Sequence, residues 1–148
     1  MTASVANTPL VAETDEQIAA CFPVLSELRP HLQEKEFVGL IRSMQSDGYR
    51  LAFIEEGSRC VAAAGYRIRT SLFMGRNMYV DDLVTTSASR SMGYGAQMMQ
   101  WLRNEARRND CAFLHLDSGT QRHRAHRFYL KQGLDISSFH FSQRLDGG

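Results

Sequence analysis

The apolar positions of this chain follow two periods, and the switches between them mark its elements. From Thr14 or Asp15, either able to N-cap, Ile18, Ala19, Phe22 and Leu25 recur at helical spacing, with Pro23 placed to bend or restart the helix. Pro30 separates a second helix, in which Phe37, Leu40, Ile41 and Met44 repeat until Asp47-Gly48 stops it. Val5 to Val11 reads as a short first strand. Tyr49 to Ile54 and Cys60 to Arg69 read as strands joined by the turn Glu55-Glu56-Gly57-Ser58. After a loop around Gly75, Met78 to Thr85 is another strand, and Gly93 to Asn109 is the long helix. Cys111 to Asp117 is a buried strand, Arg122 to Gln132 a helix ended by Gly133, and Leu134 to Leu145 a last strand closing the sheet. This order predicts one α/β domain over residues 1–148, a mixed sheet with helices packed on it.

Composition narrows the function classes. A formal net charge of +1 gives no global bias toward nucleic acid or an anionic membrane, so neither is expected as a partner. Cys21, Cys60 and Cys111 are widely spaced and odd in number, which suits a reducing compartment better than a disulfide framework. There is no basic n-region with an apolar stretch after Met1, and no apolar run nears the ~20 residues of a membrane helix. The expectation is a cytoplasmic protein.

Candidate chemistry concentrates where the strand Asp81-Asp82-Leu83-Val84-Thr85 gives way to Arg90-Ser91-Met92-Gly93-Tyr94-Gly95-Ala96 and a helix begins. The first N–H groups of a helix lack internal partners and carry partial positive charge, so such a loop can cradle a phosphate. Met98 stands where a dinucleotide fingerprint needs its third glycine, and no Gly-Lys-Ser/Thr follows, so the two commonest nucleotide loops are set aside. Further on, the chain reads Ala125-His126-Arg127-Phe128-Tyr129-Leu130-Lys131-Gln132-Gly133-Leu134.

Together these stretches resemble the GNAT superfamily of acyl-CoA-dependent N-acyltransferases. Arg90, Gly93 and Gly95 match the family's R/Q-x-x-G-x-G/A; Ala125, Phe128, Tyr129 and Gly133 match A-x-x-F-Y-x-x-x-G-F, with Leu134 replacing the final aromatic. The resemblance implies a single mixed, mostly antiparallel sheet splayed between its fourth and fifth strands. It implies acetyl-CoA as acyl donor, with its pyrophosphate on Ser91 to Ala96, Arg90 as anion partner, and pantetheine along Leu83, Val84 and Thr85. Ser118 and Phe128 join the cofactor-binding set, and Tyr129 matches the general acid that protonates the departing thiolate.

An ammonium is not nucleophilic, so direct transfer also needs a base. Strand alternation puts Asp81 and Asp82 on opposite faces, with Asp81 on the face of Tyr79 and Leu83. Asp81 is preferred; Asp82 and a water-relayed base stay open. A metal is not expected: His123 and His126 share a helix face, but no further ligand pattern supports them and Arg122, Arg124 and Arg127 crowd them. His115 reads as a core histidine. The acceptor is a small-molecule or peptide amine, with Glu34, Glu36, Arg67, Arg69 and Arg76 on its side, and a homodimer is compatible. The rival function is an acyl-CoA-binding sensor without catalysis.

Overall fold

In a computed structural model of the protein, residues 8–147 are described; of the expected first strand, Val5 to Asn7 lie outside them. The chain forms two compact units, one ending at Leu116 and the other beginning at Asp117.

The first unit is built on a five-stranded sheet in the order β1-β2-β3-β4-β5: β1 (Leu10–Val11), β2 (Arg50–Glu56), β3 (Arg59–Ser71), β4 (Gly75–Thr85) and β5 (Phe113–Leu116). All neighbours are antiparallel except β4 and β5, which run parallel. One face is covered by α1 (Asp15–Ala20), α2 (Phe22–Leu28) and α3 (Glu34–Gln45). Thr14 starts α1 with a reciprocal cap: its Oγ accepts the Gln17 N–H at 3.1 Å, and Gln17 Oε1 accepts the Thr14 N–H at 3.0 Å. Pro23 restarts the chain as α2, in whose first turn a missing N–H costs nothing. Ile18, Val24, Leu25, Phe37 and Ile41 from these helices bury against Tyr49, Leu51, Phe53 and Ala63 of the sheet.

The other face packs on α4 (Tyr94–Arg108), whose Met98, Met99 and Leu102 are fully buried and whose Trp101 meets Tyr66 edge-on at 6.0 Å. One acid lies in this interface. Glu105 accepts from the Tyr66 hydroxyl at 3.3 Å, is bonded by Arg108, and has Arg50 at 3.7 Å. A buried carboxylate is tolerable when its oxygens are answered in this way.

The first strand is only Leu10–Val11 and β4 begins at Gly75 rather than Met78, and two larger differences lie at the end of the chain. β5 spans only Phe113–Leu116, because the Cys111 N–H instead bonds the Ala106 carbonyl at 2.9 Å and closes the end of α4; Phe113 is exposed rather than buried. Residues 134–147 form no strand. The alternation of Phe139 and Phe141 suits a strand, but a strand requires a ladder partner, and this segment has none among the described residues; both rings are exposed. The second unit is built around α5 (His123–Lys131), followed by Gly133.

Candidate active site

The ladder between β4 and β5 runs from Asn77–Phe113 to Val80–Leu116 and stops, while β4 stays paired with β3 through Thr85. Residues 81–85 therefore keep one backbone edge without a strand partner among the described residues. This is the splay, and it falls on Leu83, Val84 and Thr85. Leu83 buries its side chain; Val84 and Thr85 are half-buried.

Beyond β4 the expected loop is a 3-10 helix, Ser87–Met92. Glu27 of α2 ties it down, accepting from the Thr86 hydroxyl at 2.9 Å and the Ser87 N–H at 3.0 Å. Gly93 then takes φ +83° as the N-cap of α4, a conformation costing a residue with a Cβ roughly 1–2 kcal/mol. The first bond inside α4 is from the Gln97 N–H to the Gly93 carbonyl at 3.1 Å, which leaves the N–H groups of Tyr94, Gly95 and Ala96 without helical partners. Arg90, Ser91, Met92, Gly93 and Ala96 are exposed around this helix start, whereas the Tyr94 side chain is buried and can offer only its backbone. An extended thiol cofactor ending in phosphates fits these features: a bare strand edge, then unpaired N–H groups at a helix dipole's positive end, with Arg90 beside them.

The aspartates correct the alternation expectation. Gly65 pairs with Asp82 and Tyr66 with Val80, so Asp81 is an extra residue in a β-bulge. The bulge turns both carboxylates onto the α1–α3 side of the sheet. There Asp82 accepts from the Tyr49 hydroxyl at 2.8 Å and from Arg29 Nε at 3.0 Å. Arg67 lies over the Tyr49 ring at 5.2 Å and reaches Asp81 Oδ2 at 3.0 Å. Asp81 thus keeps Tyr79 on its face but loses Leu83, which pairs with Ala64 and packs toward the other side. Gly65 makes room for this cluster, since a Cβ there would overlap the Tyr49 hydroxyl.

The two acids end in unlike states. Asp82 has both oxygens hydrogen-bonded. Asp81 Oδ2 is buried and meets the Arg67 guanidinium at 3.0 Å as an ion pair, without a well-aligned hydrogen bond. Burial pushes the Asp81 carboxyl above the usual aspartate range and outweighs Arg67, which pulls it down, while Asp82 pushes it further up. Tyr49 is also raised, by burial first and then by Asp82, so it stays a phenol and donates. Tyr49 and Arg29 join this site from distant chain positions and were not among the expected residues.

Along the same face, His115 is half-buried with Nε2 at 2.8 Å from Asn77 Oδ1, and its ring meets Tyr79 edge-on at 5.1 Å. In the second unit, Phe128 and Tyr129 are half-buried neighbours on α5 with rings 5.6 Å apart. Arg124, Arg127 and Lys131 line a depression with Phe128. Ser118 Oγ is buried with no hydrogen-bond partner, an orphaned hydroxyl that suits a ligand's polar atom. His126 gives Nε2 to the Gly119 carbonyl at 2.7 Å. No group of three or more metal-ligating side chains is gathered among the described residues.

Residues 11–134 match the sequence profile of the acetyltransferase (GNAT) family. The chain belongs to that family. Among GNAT relatives, an uncharacterized N-acetyltransferase of Bacillus subtilis, YhdJ, is 35% identical over 128 residues, 85% of this chain and 90% of that one. The aminoalkylphosphonate N-acetyltransferase of Salmonella typhimurium is 33% identical over 66 residues, 45% of this chain and 43% of that one. An aminoglycoside N-acetyltransferase solved with CoA superposes with a TM-score of 0.81, covering 95% of this chain and 96% of that chain, at 10% identity, a likeness of fold alone. No described helix of this GNAT chain is long and apolar enough to cross a membrane.

Proposed function

We propose that this protein transfers the acetyl group of acetyl-CoA directly to a primary amine within a ternary complex, with all 148 residues serving as one acetyltransferase domain. The observation that carries catalysis, rather than mere acyl-CoA binding, is the Asp81 carboxylate. It is half-buried, raised in pKa and ion-paired to Arg67 without a well-aligned hydrogen bond on Oδ2, beside the unpaired edge of β4. A sensor would have no use for such a group, and an incoming amine N–H satisfies it.

In this reading pantetheine lies along Leu83, Val84 and Thr85, and a backbone N–H near Val84 or Thr85 polarises the thioester carbonyl as negative charge develops on its oxygen. The N–H groups from Ser91 through Gly93 to Ala96 hold the pyrophosphate with Arg90; Ser118 and Phe128 are the further donor contacts that the family resemblance implies. Asp81 takes a proton from the acceptor ammonium, and the free amine attacks the acetyl carbon. The carbon–sulfur bond breaks, Tyr129 protonates the departing thiolate, and the attacking nitrogen gives up its second proton as the amide forms, restoring the phenol through solvent while Asp81 returns its proton to water. Asp82, held by Tyr49 and Arg29, fixes the β4 backbone rather than moving protons.

The test combines titration calorimetry with acetyl-CoA and thiol detection of released CoA across a panel of primary amines. Expected are one-to-one binding at micromolar affinity or tighter and amine-dependent CoA release. Binding without release from any amine leaves the sensor, and no binding removes both.

A further inference from the structure

Past Gly65, β3 carries Arg67 and Arg69 on the face that holds the aspartates, opposite Tyr79 and Asn77 of β4. Arg67 is committed, lying over Tyr49 and facing Asp81. Arg69 is exposed, lies over the Tyr79 ring at 5.0 Å, and has no carboxylate within ion-pair distance among the described residues. Its support is itself held. Tyr79 is braced edge-on by His115 at 5.1 Å, and the His115 ring is fixed by Asn77 at 2.8 Å.

A guanidinium resting on an aromatic ring keeps its N–H fork free at the rim, oriented before any ligand arrives. That fork matches the two oxygens of a carboxylate, phosphate or phosphonate. The local charge agrees. Arg29 and Arg67 lie at ion-pair distance from Asp82 and Asp81, whereas Arg69 has no carboxylate that close among the described residues. Arg67 and Arg69 are next-but-one neighbours, so their backbones stand about 7 Å apart along the strand. Arg69 pairs with Asn77, four residues before Asp81 on β4, and its guanidinium folds back over Tyr79 in the direction of that acid.

We propose that the acceptor is a small amine carrying its own oxyacid group, whose anion docks on Arg69 while its amine faces Asp81. This rests on the acetyl-transfer reading of the same site and narrows the acceptor to amino acids and amino-phosphonates or phosphates with a short spacer. Arg69 then acts as a specificity residue: it contacts the substrate's far end and takes no part in proton transfer.

The experiment compares 2-aminoethylphosphonate, β-alanine and propylamine as acceptors for wild type, Arg69→Ala and Arg69→Lys, reading kcat/KM by CoA release. Calorimetry of 2-aminoethylphosphonate with the CoA-saturated protein gives a readout independent of turnover. A preference of roughly tenfold or more for the anionic amines is expected, falling by about fivefold in Arg69→Ala mainly through KM. Arg69→Lys recovers only part, because a point charge lacks the fork. The relative rates of the phosphonate and the carboxylate identify the oxyacid. Equal rates for propylamine, or an unchanged preference in Arg69→Ala, overturn the proposal and leave acetyl transfer standing. Binding of the aminophosphonate that weakens in Arg69→Ala, with no CoA release from any amine, supports the anion site and removes the transfer reading. Absence of both the preference and the binding overturns the anion site.

Discussion

Glu105 and Asp81 are acids set against opposite faces of one sheet, and their surroundings differ in the way that separates structure from chemistry. Glu105, between α4 and the sheet, is answered by Tyr66, Arg108 and Arg50. Asp81, on the α1–α3 side, has one cation out of line and one buried oxygen with no hydrogen bond. A fully satisfied carboxylate contributes to holding the fold, and a further proton acceptor role would cost those bonds. An incompletely satisfied one lowers stability slightly and is available to a ligand. Under the acetyl-transfer proposal, this difference in partners, together with the fuller burial of Glu105, gives Glu105 the structural role and Asp81 the proton-accepting one.

The widest separation should come from Asp81→Asn. Turnover is expected to fall by roughly 100-fold or more, as for loss of a general base, while acetyl-CoA still binds in calorimetry. Retained turnover would transfer the role to Asp82 or to a water relay. Glu105→Ala should show the reverse pattern. It removes the acceptor of the buried Tyr66 hydroxyl and the carboxylate facing Arg50 and Arg108, so unfolding in denaturant should report a loss of about 1–3 kcal/mol, with CoA release by the folded protein near the wild-type rate.

A smaller effect follows from Arg67→Ala. In the proposed role Asp81 works as a base only when ionised, and its raised carboxyl places the acid limb of the kcat/KM–pH profile above that of an ordinary aspartate. Arg67 pulls that carboxyl down, so its removal should move the limb to higher pH, and a shift to lower pH would contradict the assignment. The linkage to stability has the matching sign. The native state holds the Asp81 proton more readily than the unfolded chain does. Ionised Asp81 therefore costs stability at neutral pH, a cost relieved as pH falls through the raised value.

The strand-to-helix turn at Arg90 to Ala96 was legible in the sequence because its determinants are local. Gly93 and Gly95 sit at the start of a helix with clear apolar periodicity, and both strand–loop–helix order and the free N–H groups follow from neighbouring residues. Asp81 and Asp82 could be found but not oriented. Alternation assumes unbroken register, and the extra residue opposite Gly65 is a property of two strands together. Tyr49 and Arg29 reach Asp82 from 33 and 53 positions away, beyond any spacing rule. The steric demand of Tyr49 on Gly65 is equally non-local, although glycine inside an otherwise apolar strand is a signal of close approach that could have raised the question. The misread last strand, residues 134–145, has the opposite cause: side-chain alternation is local, but pairing is not.

The bulge at Asp81 gives chain length a chemical meaning. Removing a single residue from β4 would restore plain alternation, send one acid to the α4 side and leave the composition of the strand almost intact. A site of this kind is gained or lost by insertion and deletion more abruptly than by substitution. Two relatives of equal acidity in this strand can therefore differ in whether they possess the site at all, and a comparison of residue identities that ignores where the gap falls would miss it.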